Sequence, residues 1–206
     1  MTHIGNIPHI LENGITHKNS PNVNPDYVAI GDINVIRTRI TKQVNINNGN
    51  HSQSFGTIIL GDYIPFYFDK RMPMLYVIQL GGNGVECATP PEDIVYVVCK
   101  VCDIVESGTT YYFSNGHALG AMTTFYDNSK INDLPSILDW SAINSNDWGG
   151  EENRLLRLKK EAEFLVADDI APQHICGFVC YNETAKQRLA ELGVNKTISV
   201  QQQAYF

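Results

Sequence analysis

Short runs of β-branched and aromatic residues are the feature that most limits how this chain of 206 residues can fold. Runs of this kind, bounded by glycine, proline, asparagine or aspartate, are typical of β-strands. A Gly-Gly-Asn-Gly turn is predicted at residues 81–84. The runs that predict strands are DYIPFYF, MPMLYVIQL, DIVYVVCKVCDIV, TTYYFSNGHA, EFLVADDI, HICGFVCYN and TISVQQQAYF.

Three other segments predict helices around these strands. The first begins after Asn6 and ends before Gly14, a residue type suited to a helix C-terminus. RLLRLKKEA is the second, and the third lies between Asn182 and Gly193. The chain shows no internal repeat and no clear linker. We therefore expect a single α+β domain over residues 1–206, with a central, mostly antiparallel sheet and flanking helices.

Composition excludes several classes of protein. Charged residues make up 18% of the chain and hydrophobic residues 43%, so the chain can bury a core and is not a disordered polyelectrolyte. A net charge of −7 argues against nonspecific nucleic-acid binding but allows a local basic groove. No apolar run approaches the roughly 18 residues of a membrane span, and the start has no signal-peptide pattern. We expect a cytoplasmic protein without membrane contact.

The five cysteines raise the question of a metal site. Cys99 and Cys102 form a CxxC pair, and Cys176 and Cys180 form a CxxxC pair, so together they could bind zinc. Both pairs lie in predicted strands, where Cys99 and Cys102 would face opposite sides. We therefore expect no metal and interpret the cysteines as small apolar residues.

The stretch KKEAEFLV carries the most promising catalytic candidate. In a strand that begins by residue 161, Glu161 and Glu163 would point to the same side. Burial of residues 164–166 would hold Glu163 rigidly, so that it could act as a base or stabilise positive charge on a sugar ring. Two neighbouring carboxylates should also raise one of the two pKa values. The alternative is a strand end that faces solvent.

Other candidates carry weaker signals. Arg37 and Arg39 could hold a phosphate, or could lie on a solvated strand or helix face. Tyr67 shares a predicted strand face with Tyr63 and could stack on a nicotinamide or a base, although core packing is the alternative. His117 lies on a predicted loop. The chain lacks GxGxxG and GxxxxGK[ST], which argues against a Rossmann or P-loop nucleotide site.

Five motifs, taken in order, resemble the DarT family: THIGNIPHILENG, GDYIPFYFDKRMPMLY, YFSNGHA, LDW and KKEAEFLV. The resemblance implies an ADP-ribosyltransferase fold related to the PARP branch, with a split sheet. It also implies a toxin that transfers ADP-ribose from NAD to a base, thymidine or guanosine, of single-stranded DNA and releases nicotinamide. Such an enzyme is a glycosyltransferase of the pentosyltransferase type. The partner implied is a DarG-like macrodomain antitoxin.

The resemblance also implies roles for individual residues. It implies an NAD-binding loop element at about residues 18–39 and a substrate loop at about residues 117–163. The catalytic residues it implies are Glu163 and Arg37. NAD, as substrate, would be bound by Thr2, His3, Arg37, Tyr67 and Met74, without a metal. The residues implied to bind DNA are His117, Lys159 and Lys160.

Three alternatives to DNA modification stay open at this point. Glu161 stands where the family commonly has glutamine, so the acceptor could be RNA or protein. The chain could bind NAD or DNA without turnover. It could also hydrolyse NAD without transferring ADP-ribose.

Overall fold

The computed structural model of this chain describes residues 1–82 and 84–206. Asn83, in the glycine turn predicted at residues 81–84, lies outside the described residues. The chain divides into two compact units. Unit 1 consists of Met1–Ile33, Met74–Thr109 and Asp168–Phe206, and unit 2 of Asn34–Pro73 and Thr110–Ala167.

Strands and helices alternate irregularly along the described residues. The strands are β1 (Thr2–His3), β2 (Gln43–Asn45), β3 (Thr57–Ile59), β4 (Ile64–Tyr67), β5 (Ile94–Cys99), β6 (Tyr111–Ser114), β7 (Phe125–Tyr126), β8 (Glu163–Val166), β9 (Ile175–Cys180) and β10 (Thr197–Val200). The α-helices are α1 (Ile7–Asn13), α2 (Ile33–Thr41), α3 (Pro73–Leu80), α4 (Val101–Glu106), α5 (Leu134–Ile137), α6 (Trp140–Ile143), α7 (Arg154–Lys160) and α8 (Glu183–Glu191).

Unit 1 is built on a four-stranded sheet with the order β1-β5-β9-β10. The β1–β5 and β5–β9 pairs are antiparallel, and the β9–β10 pair is parallel. Ile7 of α1 and Leu189 of α8 join Val95 and Phe178 of the sheet in one buried cluster. Apolar residues at helical spacing therefore attach both helices to this sheet.

Local signals explain where the helices of unit 1 begin and end. The side chain of Asn182 accepts a hydrogen bond from the amide of Ala185, and Gly193 follows α8 with a φ of +89°. Gly14 follows α1 with a φ of +80°. Glycine adopts such positive φ values without strain, so both C-terminal predictions are confirmed.

Asn6 precedes α1 as predicted, but its side chain does not cap the helix. Its Nδ2 donates to Thr2 Oγ1 at 2.8 Å and to the carbonyl of Val28 at 2.9 Å. Its Oδ1 accepts from the amide of Val28 at 2.8 Å. The buried Asn6 amide thus holds the backbone of a distant loop instead of a helix end.

Two segments predicted as strands are wholly or partly helical in the structure. MPMLYVIQL forms α3, with Pro73 in its first turn and Leu75 and Ile78 buried on one face. Proline at a helix start and apolar residues three apart both favour this helix. DIVYVVCKVCDIV ends its strand at Cys99, and Cys102 lies in α4. Among the described residues, no group of three or more His, Cys, Asp or Glu side chains could hold a metal ion.

Unit 2 is built on a four-stranded antiparallel sheet with the order β4-β8-β6-β7. Strand β8 lies between β4 and β6, and all four of its residues are buried. Tyr67 pairs with Glu163 across β4 and β8. Strands β2 and β3 form a separate antiparallel pair. The helices and mostly antiparallel sheets confirm the predicted α+β class.

Within the described residues, no helix has the length and apolarity needed to cross a membrane.

Candidate active site

The first residue of β8 is a fully buried glutamate. Glu163 is 0% exposed, and so are Leu165 and Val166, while Phe164 is 1% exposed. Phe164 also stacks on Tyr111 of β6, with the ring centroids 5.0 Å apart. The predicted burial of residues 164–166 is confirmed, and it holds the backbone of Glu163 rigidly.

Both carboxylate oxygens of Glu163 accept hydrogen bonds. Oε2 accepts from Nη1 of Arg39 at 2.8 Å, and Oε1 accepts from the backbone amide of Ala118 at 2.9 Å. An ionised carboxylate in an apolar interior is strongly destabilising unless such donors replace water. The two donors fix the orientation of the Glu163 side chain.

The arginine beside Glu163 is Arg39, not Arg37. The Arg39 side chain is 13% exposed, whereas Arg37 is exposed on α2. An α-helix turns about 100° per residue, so two residues two apart point in nearly opposite directions. The structure therefore brings Arg39 to Glu163 and does not bring Arg37, the predicted catalytic arginine, to it. Nη2 of Arg39 is buried and makes no hydrogen bond with any residue that the structure describes.

The donor on the other side comes from a turn after β6. The amide of His117 donates to the carbonyl of Leu158 at 2.8 Å, which holds the turn against α7 and brings the amide of Ala118 to Glu163. Burial lowers the pKa of the His117 imidazole, Glu163 raises it, and Arg39 lowers it further. His117 is therefore a neutral imidazole at neutral pH, near the carboxylate.

Glu161 and Tyr67 are two further titratable side chains near Glu163. Strand β8 begins at Glu163, and Glu161 caps the end of α7, so the two carboxylates do not share a strand face as predicted. Burial, followed by the charge of Glu163, raises the pKa of Glu161 to about 8. The predicted rise of one carboxyl pKa is confirmed. Burial, with Glu163 and Glu161, also raises the pKa of Tyr67 well above its usual value.

The two lysines predicted to contact DNA have different environments. Lys160 is 0% exposed; its Nζ donates to the carbonyl of Ile143 at 2.6 Å and lies 3.7 Å from Asp69 Oδ2. Lys160, predicted as a DNA contact, therefore has its amine enclosed by protein in this structure. Burial lowers the pKa of Lys160, and Asp69 opposes this shift. The side chain of Lys159 is 40% exposed and donates to Asp139 Oδ2 at 2.9 Å.

The remaining residues predicted to bind NAD lie in unit 1. Thr2 is buried and accepts from Asn6, and His3 accepts from the amide of Gly5 through Nδ1 at 3.0 Å. Met74, near the start of α3, is half-buried against an apolar cluster of unit 1. Within unit 2 the structure brings Tyr67, His117 and Glu163 close together.

The sequence did not reveal two contacts of the site. One is the hydroxyl of Ser114, which accepts from the backbone amide of Glu163 at 3.1 Å. The other is the amide of Ala118. A backbone donor has no signature in a sequence, and the only signal was that both residues lie within the YFSNGHA motif.

Comparisons with known proteins agree on one family. Residues 1–206 match the family model described as "DarT: ssDNA thymidine ADP-ribosyltransferase, DarT". A DNA ADP-ribosyl transferase of Escherichia coli O127:H6 is 29% identical over 192 residues, covering 93% of this chain and 83% of that protein. A DNA ADP-ribosyl transferase of Thermus sp. (strain 2.9) is 31% identical over 168 residues, covering 81% and 72%.

Solved structures of the Thermus protein share the fold. Thermus sp. 2.9 DarT in complex with ADP-ribosylated ssDNA matches with a TM-score of 0.82 and 25% identity, covering 100% of this chain and 93% of that chain. Its complex with NAD+ matches with a TM-score of 0.77 and 24% identity, covering 100% and 94%. These matches confirm the ADP-ribosyltransferase fold that the motifs predicted.

A longer relative joins two activities in one chain. It is a DNA ADP-ribosyl transferase–DNA ADP-ribosyl glycohydrolase fusion protein of Thermosipho africanus. It is 24% identical over 201 residues, and the match covers 97% of this chain and 46% of the fusion protein.

Proposed function

Because the chain belongs to the DarT family, we propose that it is a toxin that transfers ADP-ribose from NAD to a base of single-stranded DNA and releases nicotinamide. NAD is the substrate that supplies the ADP-ribosyl group. Within the family match, the observation that carries this proposal is the buried Glu163 carboxylate, held by Arg39 and Ala118. A charge buried at this cost is typical of a reaction centre.

The position of Glu163 suits the chemistry of the transfer. When the bond between ribose C1′ and the nicotinamide nitrogen breaks, nicotinamide leaves with the electron pair and positive charge develops on the ribose. A fixed carboxylate stabilises that charge more in the transition state than in the ground state. A nucleophilic atom of the base then bonds to C1′, and the base loses a proton. Glu163 is therefore proposed as the catalytic carboxylate.

Arg39 is proposed in the role that the sequence gave to Arg37. Its Nη2 is buried and lacks a partner among the described residues, although its Nη1 is bonded to Glu163. Guanidinium groups suit phosphate oxygens, and NAD supplies a diphosphate. The side chain of Glu163 is only 1% exposed, so contact with a ribose requires neighbouring side chains of unit 2 to shift.

The other NAD contacts are proposed from the motifs that carry them. Thr2, His3, Tyr67 and Met74 remain the proposed residues. For Tyr67, its pairing with Glu163 across β4 and β8 supports this role.

DNA and an antitoxin are the proposed partners. His117 and the half-exposed Lys159 are the proposed DNA contacts, and Lys160 no longer belongs to this set. The fused glycohydrolase of the Thermosipho relative supports a DarG-like macrodomain antitoxin as the second partner. A cytoplasmic location, where DNA is accessible, is part of the same proposal.

An acceptor panel tests the proposed function. The purified chain is incubated with NAD and, separately, with mixed-sequence single-stranded DNA, the same DNA as a duplex, RNA and a test protein. Each product is weighed by mass spectrometry, with Glu163→Gln as the inactive variant and Arg37→Lys as the matched active one. We expect one added ADP-ribosyl group on single-stranded DNA from the wild type and from Arg37→Lys.

The other outcomes separate the alternatives. Adducts found only on RNA or only on protein would show that this molecule, and not single-stranded DNA, is the acceptor. Nicotinamide release that no nucleic acid stimulates would indicate NAD hydrolysis. Binding of NAD or DNA without nicotinamide release would indicate a homologue without turnover.

A further inference from the structure

We infer that Ser114 is a positioning residue for Glu163, acting through the turn at residues 115–118. Its hydroxyl forms hydrogen bonds with backbone atoms of Glu163 and of that turn. The inference rests on the proposed transferase function, because it assigns Ser114 a role in setting the carboxylate that performs the transfer.

The Ser114 hydroxyl is fully buried and uses both of its capacities. Its hydrogen is donated to the carbonyl of Gly116 at 2.7 Å, and its oxygen accepts the amide of Glu163 at 3.1 Å. Ser114 is 0% exposed, so no water competes for either bond. A hydroxyl has a single hydrogen, so donation to Gly116 turns a lone pair toward Glu163.

The hydroxyl acts where the sheet ladder stops. Strands β6 and β8 pair as far as Phe113 and Phe164, and the next antiparallel pair would be Ser114 and Glu163. At that position the side chain of Ser114, not its backbone, receives the Glu163 amide. The backbone of β6 is thereby released to turn away at Asn115 and return over the carboxylate.

The turn, with the residues just after it, is closely packed against α7. A Cβ at Gly116 would lie 3.0 Å from the carbonyl oxygen of Leu158, and one at Gly120 would lie 2.5 Å from Leu158 Cδ1. The amide of His117 also donates to that carbonyl. Leu158 of α7 therefore restricts the turn by packing against it, while the Ser114 hydroxyl restricts it through its hydrogen bond to Gly116.

The hydrogen bonds close a ring that begins and ends at Glu163. The Glu163 amide donates to Ser114, Ser114 donates to Gly116, and two residues later Ala118 donates to Glu163 Oε1. Loss of the hydroxyl leaves the Glu163 amide and the Gly116 carbonyl buried without partners. The Ala118 amide then loses its fixed position, and small displacements of a reacting group cost up to about 100-fold in rate.

Ser114→Ala tests this role, with Ser114→Thr as the variant that keeps the hydroxyl. Tyr205→Phe is the matched control, because the buried Tyr205 hydroxyl also contacts two backbone groups, the carbonyls of Ile94 and Val179 in unit 1. We expect Ser114→Ala to lower kcat about 10- to 100-fold with KM for NAD changed less than about 3-fold. We expect Ser114→Thr to restore kcat to within about 5-fold of wild type, and Tyr205→Phe to lose stability but not kcat.

Amide hydrogen exchange at Ala118 is a second measurement that needs no activity. In Ser114→Ala it should be at least about 10-fold faster than in wild type, and unchanged in Tyr205→Phe. Ser114→Cys, a weaker donor of similar size, should be intermediate in both measurements and replaces Ser114→Ala if that variant does not fold.

Wild-type kcat and unchanged Ala118 exchange in the Ser114 variants would overturn the role of Ser114. An equal loss of kcat in Tyr205→Phe would show that Ser114 affects kcat through the overall stability of the protein and not through the position of Glu163. An inactive wild type with faster Ala118 exchange in Ser114→Ala would instead overturn the proposed function and leave the positioning intact.

Discussion

The two units bury different kinds of polar side chain. Among the described residues, those buried in unit 1 are neutral: Thr2, Asn6 and Thr89. Those buried in unit 2 include both signs of charge: Ser114, Thr124, Lys160 and Glu163. The sheets are of equal size, four strands each, so the difference does not follow from the architecture.

Asn6 and Glu163 illustrate the difference between a structural polar group and the proposed catalytic one. Asn6 exchanges hydrogen bonds with both backbone groups of Val28, which fixes a loop without burying a charge. Glu163 requires a guanidinium and an amide to offset several kcal/mol of desolvation. Stability alone does not favour that arrangement, whereas the stabilisation of a positively charged ribose does.

Glu163→Gln should have the largest effect of any single change. The neutral amide has nearly the shape of the carboxylate but cannot stabilise positive charge, so we expect nicotinamide release to fall about 10²- to 10³-fold. Initial rates at saturating NAD measure the effect, and circular dichroism checks that the variant stays folded. A fall of less than about 10-fold would remove Glu163 from the chemistry.

The two arginines of α2 give the next largest difference. Arg39→Lys keeps the charge but loses the guanidinium fork, so we expect about a 100-fold lower rate of nicotinamide release. Arg37→Lys, on the exposed side of the same helix, should stay within about 3-fold of wild type. A larger loss of nicotinamide release in Arg37→Lys than in Arg39→Lys would support Arg37, the residue predicted from the sequence, as the catalytic arginine.

Neighbouring lysines provide a similar comparison for stability. Lys160→Met leaves Asp69 and the carbonyl of Ile143 without their buried donor, so we expect a loss of about 2–3 kcal/mol in the free energy of unfolding. Lys159→Met, at an exposed ion pair, should change it by less than about 1 kcal/mol. Urea unfolding measures both. Equal stabilities, with weaker DNA binding by Lys160→Met, would return Lys160 to the DNA contacts.

Glu161 gives the smallest predicted effect, seen as a pH dependence. The folded protein keeps the Glu161 proton up to about pH 8, whereas its usual value is 4.5. Between these values the folded state binds more protons than the unfolded state, so the free energy of unfolding falls as pH rises. Glu161→Gln should remove this fall and be more stable than wild type at about pH 8.5, by on the order of 1 kcal/mol. At about pH 4 the variant and the wild type should be equally stable, and urea unfolding at both pH values measures the difference. If that difference is the same at about pH 4 and about pH 8.5, the pKa of Glu161 is not raised by folding.

The sequence predicted the elements with strong local signals and missed those whose pattern is ambiguous. Asn182 and Gly193 mark the two ends of α8 by capping chemistry, which is local. MPMLYVIQL is rich in residues that suit both strands and buried helices, and in the structure Leu75 and Ile78 pack as the buried face of a helix. A short apolar run leaves that choice to tertiary structure.

The same limit applies to the site. Glu163 was found because the buried run that follows it is visible in the sequence. The choice of Arg39 over Arg37, and the burial of Lys160 rather than Lys159, depends on which way a helix is turned. Spacing alone does not give that rotation, because it is set by residues far along the chain.

Single-turnover transfer of ADP-ribose to a mixed-sequence single-stranded oligonucleotide tests most directly whether Glu163 is the catalytic carboxylate. Wild type, Glu163→Gln and Arg37→Lys are compared at equal NAD occupancy, and the mass of the oligonucleotide is followed with time. We predict the same rate for wild type and Arg37→Lys, and a rate at least about 100-fold lower for Glu163→Gln. Equal rates for wild type and Glu163→Gln would contradict the proposed catalytic role of Glu163.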